Sequence, residues 1–415
     1  MNAVRVETEQ SYGLPPPVAH LDEVTGRLRG LMDEEGLVAM VALTFEDVYY
    51  VTGHPSLYLH HSMDAGRTLA ALFVRPENGR VLVASDFEAT AVESGTNDME
   101  LRSFPIFIHI DDPFGLRSAD EPMNRPDNFE ADAGFAALAQ TFTDRGIKGK
   151  VGVDRAHVTG RAWEMLQEKL PRCTFIDSNS VLRRARLHKT DWEIGNLRLA
   201  NAITQRALSE VAATIAEGVT AAELVVRFLA IARRDVSANG IRLHFVSVGA
   251  DFRPSHFRSL VPAKRGDLVK LDLGVEVNGY GADLGRTFVI GEPSDAVKRI
   301  YEALRAGHDK LAELVRRGTP MKDAFNAAMP IVWKSGLPSY NRGHLGHSVG
   351  LNRDVEEWPM IGPSTDLKFE TGMVMSIETP YYGHGVGGIL IEDMIQITSD
   401  GSETLTSLPK ELVRA

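Results

Sequence analysis

The sequence predicts an α+β protein in which a smaller N-terminal α/β domain, residues 1–183, precedes a C-terminal α+β domain, residues 184–415. Strand and helix patterns alternate from residue 150 to residue 178, as is typical of an α/β domain. From residue 190 onward, helices and strand hairpins are grouped instead of alternating. A chain of 415 residues is also too long for one ordinary hydrophobic core, so we expect two domains.

Local signals define the elements of the N-terminal domain. Residues 37–53 are predicted to form two strands, and Asn78-Gly79 is predicted to turn a hairpin over residues 69–86. The stretch "LYLHHSMD" at 57–64 is expected to be a solvated loop, and contact with a substrate is the alternative interpretation.

Two capping boxes and one hairpin turn define the first half of the C-terminal domain. Thr190 with Glu193, and Thr220 with Glu223, have the spacing that starts a helix. Asn278-Gly279 is the strongest short hairpin signal in the chain, and strand-like runs flank it. We therefore expect two helices followed by a hairpin-rich sheet.

Composition excludes several classes of partner. The net charge is −11, from 45 basic and 56 acidic residues, which argues against nucleic acid as the main partner. A lone cysteine, Cys173, excludes an intramolecular disulfide framework and suits a reducing compartment. The N-terminus has no apolar signal region, and no run of eighteen apolar residues occurs. We expect a cytoplasmic protein that does not bind membranes.

Four acids lie in unusually apolar surroundings. Asp272 and Asp283 flank the predicted 278–279 turn, Glu378 lies in "GMVMSIETP", and Glu392 lies in "GGILIEDMIQIT". Buried charges cost several kcal/mol unless they are paired or bound to a metal. Taken singly, each acid is more typical of a turn, a cap or a strand edge. Their joint occurrence, together with His347 in "GHLGHSVGL", favours a shared cation site.

The composition of this set indicates the kind of cation. Four carboxylates and one imidazole suit Mn²⁺, Fe²⁺, Co²⁺ or Zn²⁺ better than ions that prefer thiolates. Four negative charges exceed the charge of one divalent ion, so we expect two ions bridged by carboxylates. The sequence leaves the identity of the metal open.

The order of these segments resembles the metallopeptidases of the "pita-bread" fold, a family that includes methionine aminopeptidase, Xaa-Pro aminopeptidase, prolidase and the related creatinase. The matching segments are "DLGVEVNGYGADLGRTF", "GHSVG", "SIETP" and "IEDMIQIT", and the similarity covers residues from about 190 to 410. Residues 1–180 resemble the N-terminal domain of the creatinase and prolidase branch. The resemblance implies a pita-bread C-terminal domain, a homodimer, and a set of five metal ligands: Asp272, Asp283, His347, Glu378 and Glu392.

The resemblance also implies catalytic roles for residues around the metals. Glu378 would carry a proton from water to the leaving nitrogen. His256, in "SVGADFRPSHF", would contact the substrate or act as an acid/base, and the alternative is a loop histidine without a task. For His344, support of the metal ligands and a purely structural role stay open.

Two positions depart from the family pattern. Asp354 stands seven positions after His347, where the peptidases usually carry a second histidine, and Leu390 stands where prolidase-like members usually carry arginine. A shift of the loop would instead bring Glu356 or Glu357 to the histidine position. Either way an acid replaces a hydrogen-bond donor. We therefore expect Xaa-Pro dipeptides to be poor substrates and a small substrate with a cationic or amino group to be preferred.

The sequence thus predicts a metal-dependent hydrolase that cleaves a C–N bond in a dipeptide or another small molecule. Hydrolysis of creatine or ectoine, and a lyase reaction on dimethylsulfoniopropionate, are the enzymatic alternatives because relatives on this fold catalyse them. A binding module without catalysis is the remaining alternative, and an intact set of five ligands argues against it.

Overall fold

The computed structural model describes residues 16–61, 66–92, 99–109, 114, 125–250, 252, 260–351 and 356–415. The chain divides into two compact units, Pro15–Arg186 and Leu187–Ala415. The boundary expected after residue 183 lies within the helix Asn179–Leu187, close to this division.

The described residues of the first unit contain one six-stranded mixed sheet with the strand order β4-β3-β2-β1-β5-β6. Its strands are β1 (Ala39–Ala42), β2 (Thr68–Phe73), β3 (Arg80–Ser85), β4 (Met99–Phe104), β5 (Gly149–Val153) and β6 (Cys173–Asp177). The helices of this unit are Val18–Glu34, Phe45–Thr52, Leu57–His61, Asp86–Ala89, Ala131–Asp144, Gly160–Lys169 and Asn179–Leu187. The predicted hairpin at Asn78-Gly79 is confirmed, since β2 and β3 pair antiparallel around it.

Two predictions for this unit are wrong. The second run of residues 37–53 is the helix Phe45–Thr52, although its aromatic and β-branched residues favour a strand. Thr44 caps this helix by accepting a hydrogen bond from the Asp47 amide, and Gly53 ends it with a φ of 74°. Local capping therefore outweighs β propensity here. The stretch expected to be a loop begins with the short helix Leu57–His61.

The second unit is built on a ten-stranded sheet in the described residues, with the central order β12-β11-β13-β16-β10-β8-β7. Its strands are β7 (Gly240–Val248), β8 (Leu268–Val277), β9 (Tyr280–Gly281), β10 (Leu284–Val289), β11 (Gly346–Ser348), β12 (Glu357–Met360), β13 (Val374–Glu378), β16 (Glu392–Thr398), β17 (Gly401–Thr404) and β18 (Val413–Arg414). A separate two-stranded sheet pairs β14 (Tyr381–Gly383) with β15 (Gly387–Ile389).

Two of the helices in the second unit begin at the predicted capping boxes. They are Asp191–Ala212, Ala221–Ala232, Asp295–Leu314 and Met321–Lys334. Both capping boxes are formed, at Thr190 with Glu193 and at Thr220 with Glu223. The predicted hairpin turn is formed as well, with φ values of 50° at Asn278 and 81° at Gly279.

The hydrophobic core of this unit leaves one face of its central strands available for polar side chains. Met375 and Ile377 of β13 belong to a buried apolar cluster that also includes Tyr301 and Phe325 from two helices. Side chains alternate between the two faces of a strand, so the intervening residues of β13 face away from this cluster. Among the described residues, no helix is long and apolar enough to cross a membrane.

Candidate metal centre

Three of the predicted acids lie in one row across four neighbouring strands. Glu378 of β13 pairs with Glu392 of β16, and Glu392 pairs with Gly285 of β10. Gly285 in turn pairs with Asp272 of β8. Directly paired residues of antiparallel strands point to the same face of a sheet. The register therefore brings together three acids that are far apart in the sequence.

Asp283 and His347 join this row from the chain segments beside it. His347 pairs with Ser376, two residues before Glu378, and so lies on the same face. Its Nε2 atom is 3.8 Å from Asp283 Oδ2 and 3.8 Å from Glu392 Oε1. One donor atom from each of these three residues lies within 4.8 Å of the others. All five predicted ligands are buried, and Asp272 is the most exposed of them at 8%.

The electrostatics of the cluster favour a bound cation. Burial raises the pKa of Asp283 well above its usual value, and the charges of Asp272 and Glu378 raise it further. Burial likewise raises the pKa of Glu392, together with the charges of Asp283 and Asp272. Asp272 Oδ1 and Asp283 Oδ1 are buried without a hydrogen-bond partner in the described part of the chain. Divalent cations would supply both the missing charge and the missing partners.

His347 has the protonation pattern of a metal ligand. Burial lowers its pKa, which favours the neutral imidazole. Nδ1 lies 2.9 Å from the carbonyl oxygen of Ser348, so that Nδ1–H donates to this oxygen. The lone pair of Nε2 then faces Asp283 and Glu392, as coordination requires.

A second group of side chains borders the row at Glu378. Arg342 donates a hydrogen bond of 2.6 Å to Glu378 Oε1. His344 Nδ1 lies 3.6 Å from the same oxygen, and His344 Nε2 lies 3.3 Å from Glu356 Oε2. The hydrogen bond from His344 lowers the pKa of Glu356 to about 2, so Glu356 is ionised at neutral pH. His344 therefore lies between two carboxylates at the edge of the centre.

The structure describes Leu390 but not Asp354, the two positions that depart from the family pattern. His256 also lies outside the described residues. Glu356 faces the centre, whereas Glu357 is buried in a pair with Lys189 at 3.3 Å. Leu390 is 1% exposed. It packs on Gly285, where a Cβ atom would lie 2.1 Å from Leu390 Cδ2. An apolar side chain thus fills the gap in the carboxylate row.

Sequence reasoning missed three polar residues of the centre. They are Lys270, Arg342 and Ser376. Lys270 and Ser376 each precede a predicted ligand by two residues, so the period of a strand could have placed both on the ligand face. Arg342 lies in a segment without regular structure, and no periodic signal indicates its position.

Ser376 is expected to support metal binding without contacting the metal. Its Oγ atom lies 2.9 Å from Glu392 Oε1 and 3.2 Å from the carbonyl oxygen of Asp283. Ser376→Ala should lower metal affinity by about 10–100-fold, since partners of ligating carboxylates typically contribute this much. Competition with a chromophoric chelator measures the change. Ser399→Ala, in a surface turn, is the matched control, and equal affinities in all three proteins would contradict the role.

Comparisons with known proteins agree with this geometry. Residues 195–399 match the model of metallopeptidase family M24, and residues 25–188 match the creatinase/prolidase N-terminal domain. The chain is 33% identical over 385 residues to the probable dipeptidase PepE of Mycobacterium tuberculosis, covering 92% of each chain. It is 30% identical over 258 residues to the Xaa-Pro dipeptidase of Pyrococcus horikoshii, covering 60% of this chain and 71% of that protein.

Solved structures show the same fold. The Xaa-Pro dipeptidase from Bacillus anthracis superimposes with a TM-score of 0.79 at 23% identity, covering 95% of this chain and all of that one. The prolidase from Pyrococcus horikoshii gives a TM-score of 0.77 at 25% identity, covering 94% of this chain. The predicted pita-bread fold and metal-dependent hydrolase class are therefore confirmed. The chain belongs to metallopeptidase family M24.

Proposed function

We propose that this M24 enzyme hydrolyses dipeptides that have a free amino group, at a centre of two divalent metal ions. The proposed ligands are Asp272, Asp283, His347, Glu378 and Glu392. The observation that carries the proposal is the convergence of these buried side chains on one face of the sheet, with two carboxylate oxygens left without partners among the described residues. Relatives named as dipeptidases support the substrate class.

The side chains around Glu378 suit the movement of a proton during hydrolysis. Bound divalent ions supply Lewis-acid polarisation of a carbonyl group and activation of water. Glu378 is then the group placed to accept a proton from the attacking water and return it to the leaving nitrogen. Arg342 donates a hydrogen bond to this carboxylate and fixes its position. His344 lies next to Glu378, and its Nε2 atom is 3.3 Å from Glu356 Oε2.

The charge at the edge of the centre supports recognition of an ammonium group. Glu356 is ionised and accepts hydrogen bonds but donates none. Leu390 stands where prolidase-like members usually carry arginine, is 1% exposed and has no side-chain donor. Arg342 at this edge is already paired with Glu378, so the ionised Glu356 is the group here that can attract a substrate ammonium. On this basis we still expect Xaa-Pro dipeptides to be poorer substrates than other dipeptides.

Steady-state kinetics with a substrate panel tests this proposal. The panel contains Ala-Pro, Met-Pro, Ala-Ala, Met-Ala, their N-acetylated forms, and creatine, each with Mn²⁺, Fe²⁺, Co²⁺ and Zn²⁺ in turn. We expect free dipeptides to exceed their acetylated forms in kcat/KM by at least about tenfold. Turnover of creatine alone would contradict the proposal. A kcat/KM for Ala-Pro of about 10⁴ M⁻¹s⁻¹ or more would overturn the expected restriction on Xaa-Pro substrates.

His256 is expected to take part in the reaction without holding the metal. A positioned acid/base contributes about 10²–10⁴-fold to the rate, so His256→Ala should lower kcat by this factor and leave metal content unchanged. Elemental analysis alongside kinetics separates the two effects. Loss of metal in parallel with activity would instead make His256 a ligand or a folding residue.

The proposed setting is a homodimer in the cytoplasm. A lone, half-buried cysteine and a net charge of −11 are compatible with a reducing compartment and with the absence of nucleic acid. We also propose that residues 1–183 form the N-terminal domain and that residues 184–415 form the domain that binds the metal.

Light scattering after gel filtration tests the proposed homodimer, and a measured mass equal to that of a single chain would exclude it.

A further inference from the structure

A buried lysine lies against one of the proposed metal ligands. Lys270 precedes Asp272 by two residues in β8, so both side chains point to the same face. Lys270 Nζ lies 2.7 Å from Asp272 Oδ2. Lys270 is only 4% exposed. A buried ammonium is costly unless it is paired, so the contact with the Asp272 carboxylate stabilises Lys270 at this position.

The surrounding residues leave room for this side chain. A Cβ atom on Gly388 would lie 3.3 Å from Lys270 Cδ and 2.9 Å from Ser247 Oγ, so a larger residue would crowd the lysine. Lys270 Nζ also lies 5.5 Å from the centre of the Tyr382 ring, within the range of a cation–π contact. The cationic group thus reaches the centre from β8.

The pairing makes the two ends of the proposed dinuclear centre unequal. One oxygen of Asp272 already accepts from Lys270, and Oδ1 is left for a metal ion. Asp283, His347 and Glu392, in contrast, form a compact group with donor atoms within 4.8 Å of one another. An ion bound by these three residues would not compete with Lys270 for a ligand. An ion beside Asp272 would share that carboxylate with the positive charge of Lys270.

We propose that Lys270 acts as an internal competing cation that makes the metal position beside Asp272 the weaker of the two. This inference rests on the proposed two-metal centre. The first ion binds at Asp283, His347 and Glu392. The second ion binds beside Asp272 against the repulsion of the lysine. Occupancy of the second position then depends on the free metal concentration.

Titration of the metal-free protein with Mn²⁺ tests this inference. Lys270→Met keeps an unbranched side chain and removes the charge, and Lys270→Arg is the control that keeps the charge. Equilibrium dialysis with elemental analysis gives the number of ions per chain. Electron paramagnetic resonance shows the coupling between two Mn²⁺ ions. We expect the wild type to bind a second ion at least about tenfold more weakly than the first. Lys270→Met should strengthen the second step by at least about tenfold, whereas Lys270→Arg should match the wild type.

The other outcomes are distinct. Two ions of equal affinity in the wild type, or a weaker second step in Lys270→Met, would overturn the competing role and leave the two-metal centre intact. One ion per chain at saturating Mn²⁺ in both proteins would overturn the two-metal centre itself. Circular dichroism checks that the variants fold, and Lys270→Gln replaces Lys270→Met if the latter does not.

Discussion

Asp283→Asn is expected to remove at least one metal ion per chain and to lower kcat/KM by at least about 10⁴-fold, equivalent to about 5 kcal/mol. Asp283 lies at the middle of the centre, 3.8 Å from His347 Nε2, and is 2% exposed. An amide cannot neutralise the charge of a metal ion, so the variant loses one of the charges that would hold the ion. Elemental analysis of the dialysed protein and steady-state kinetics measure the two effects.

The matched control for this variant is Asp366→Asn. Asp366 belongs to the same unit but forms a surface pair with Lys322, and its side chain is 83% exposed. It should keep wild-type metal content and activity, because exposed pairs contribute little to stability. Unchanged metal content in Asp283→Asn would contradict the assignment of Asp283 as a ligand.

Glu378→Gln is expected to lower kcat by about 10⁴-fold or more, because the substitution removes a proton carrier and a charged ligand together. The group formed by Asp283, His347 and Glu392 is unchanged in this variant, so at least one metal ion should stay bound. Substrate saturation curves and metal content are measured on the same preparation.

An exposed glutamate of the same unit provides the control. Glu370→Gln changes a residue that pairs with His188 and is 60% exposed. This control should behave as the wild type. A Glu378→Gln variant that retains more than about a tenth of the wild-type kcat would show that another group carries the proton.

Local chemistry explains which elements could be predicted from the sequence. The capping boxes at Thr190 and Thr220, and the turn at Asn278-Gly279, depend on residues within four positions of one another. The helix Phe45–Thr52 was missed because its strand-like composition conceals the cap at Thr44. The cap at Thr44 favours a helix and the composition of the run favours a strand. Composition alone therefore does not show which structure forms.

The sequence could indicate which residues belong to the candidate site, but it could not indicate how those residues are arranged in space. An apolar flank marks Asp272 or Glu392 as unusual, but the register that aligns them passes through Gly285, which has no polar side chain. Spacing alone cannot determine which of Asp354, Glu356 and Glu357 lies nearest the centre. Lys270 was overlooked because a lysine in a strand is usually solvated, and its partner lies on the same strand.

Anomalous diffraction from crystals grown with Mn²⁺ tests the central claim most directly. Recorded on both sides of the manganese absorption edge, it locates each ion independently of the protein phases. We predict two manganese peaks per chain, enclosed by Asp272, Asp283, His347, Glu378 and Glu392. The absence of a manganese peak among these five side chains, in crystals that show manganese elsewhere, would contradict the account.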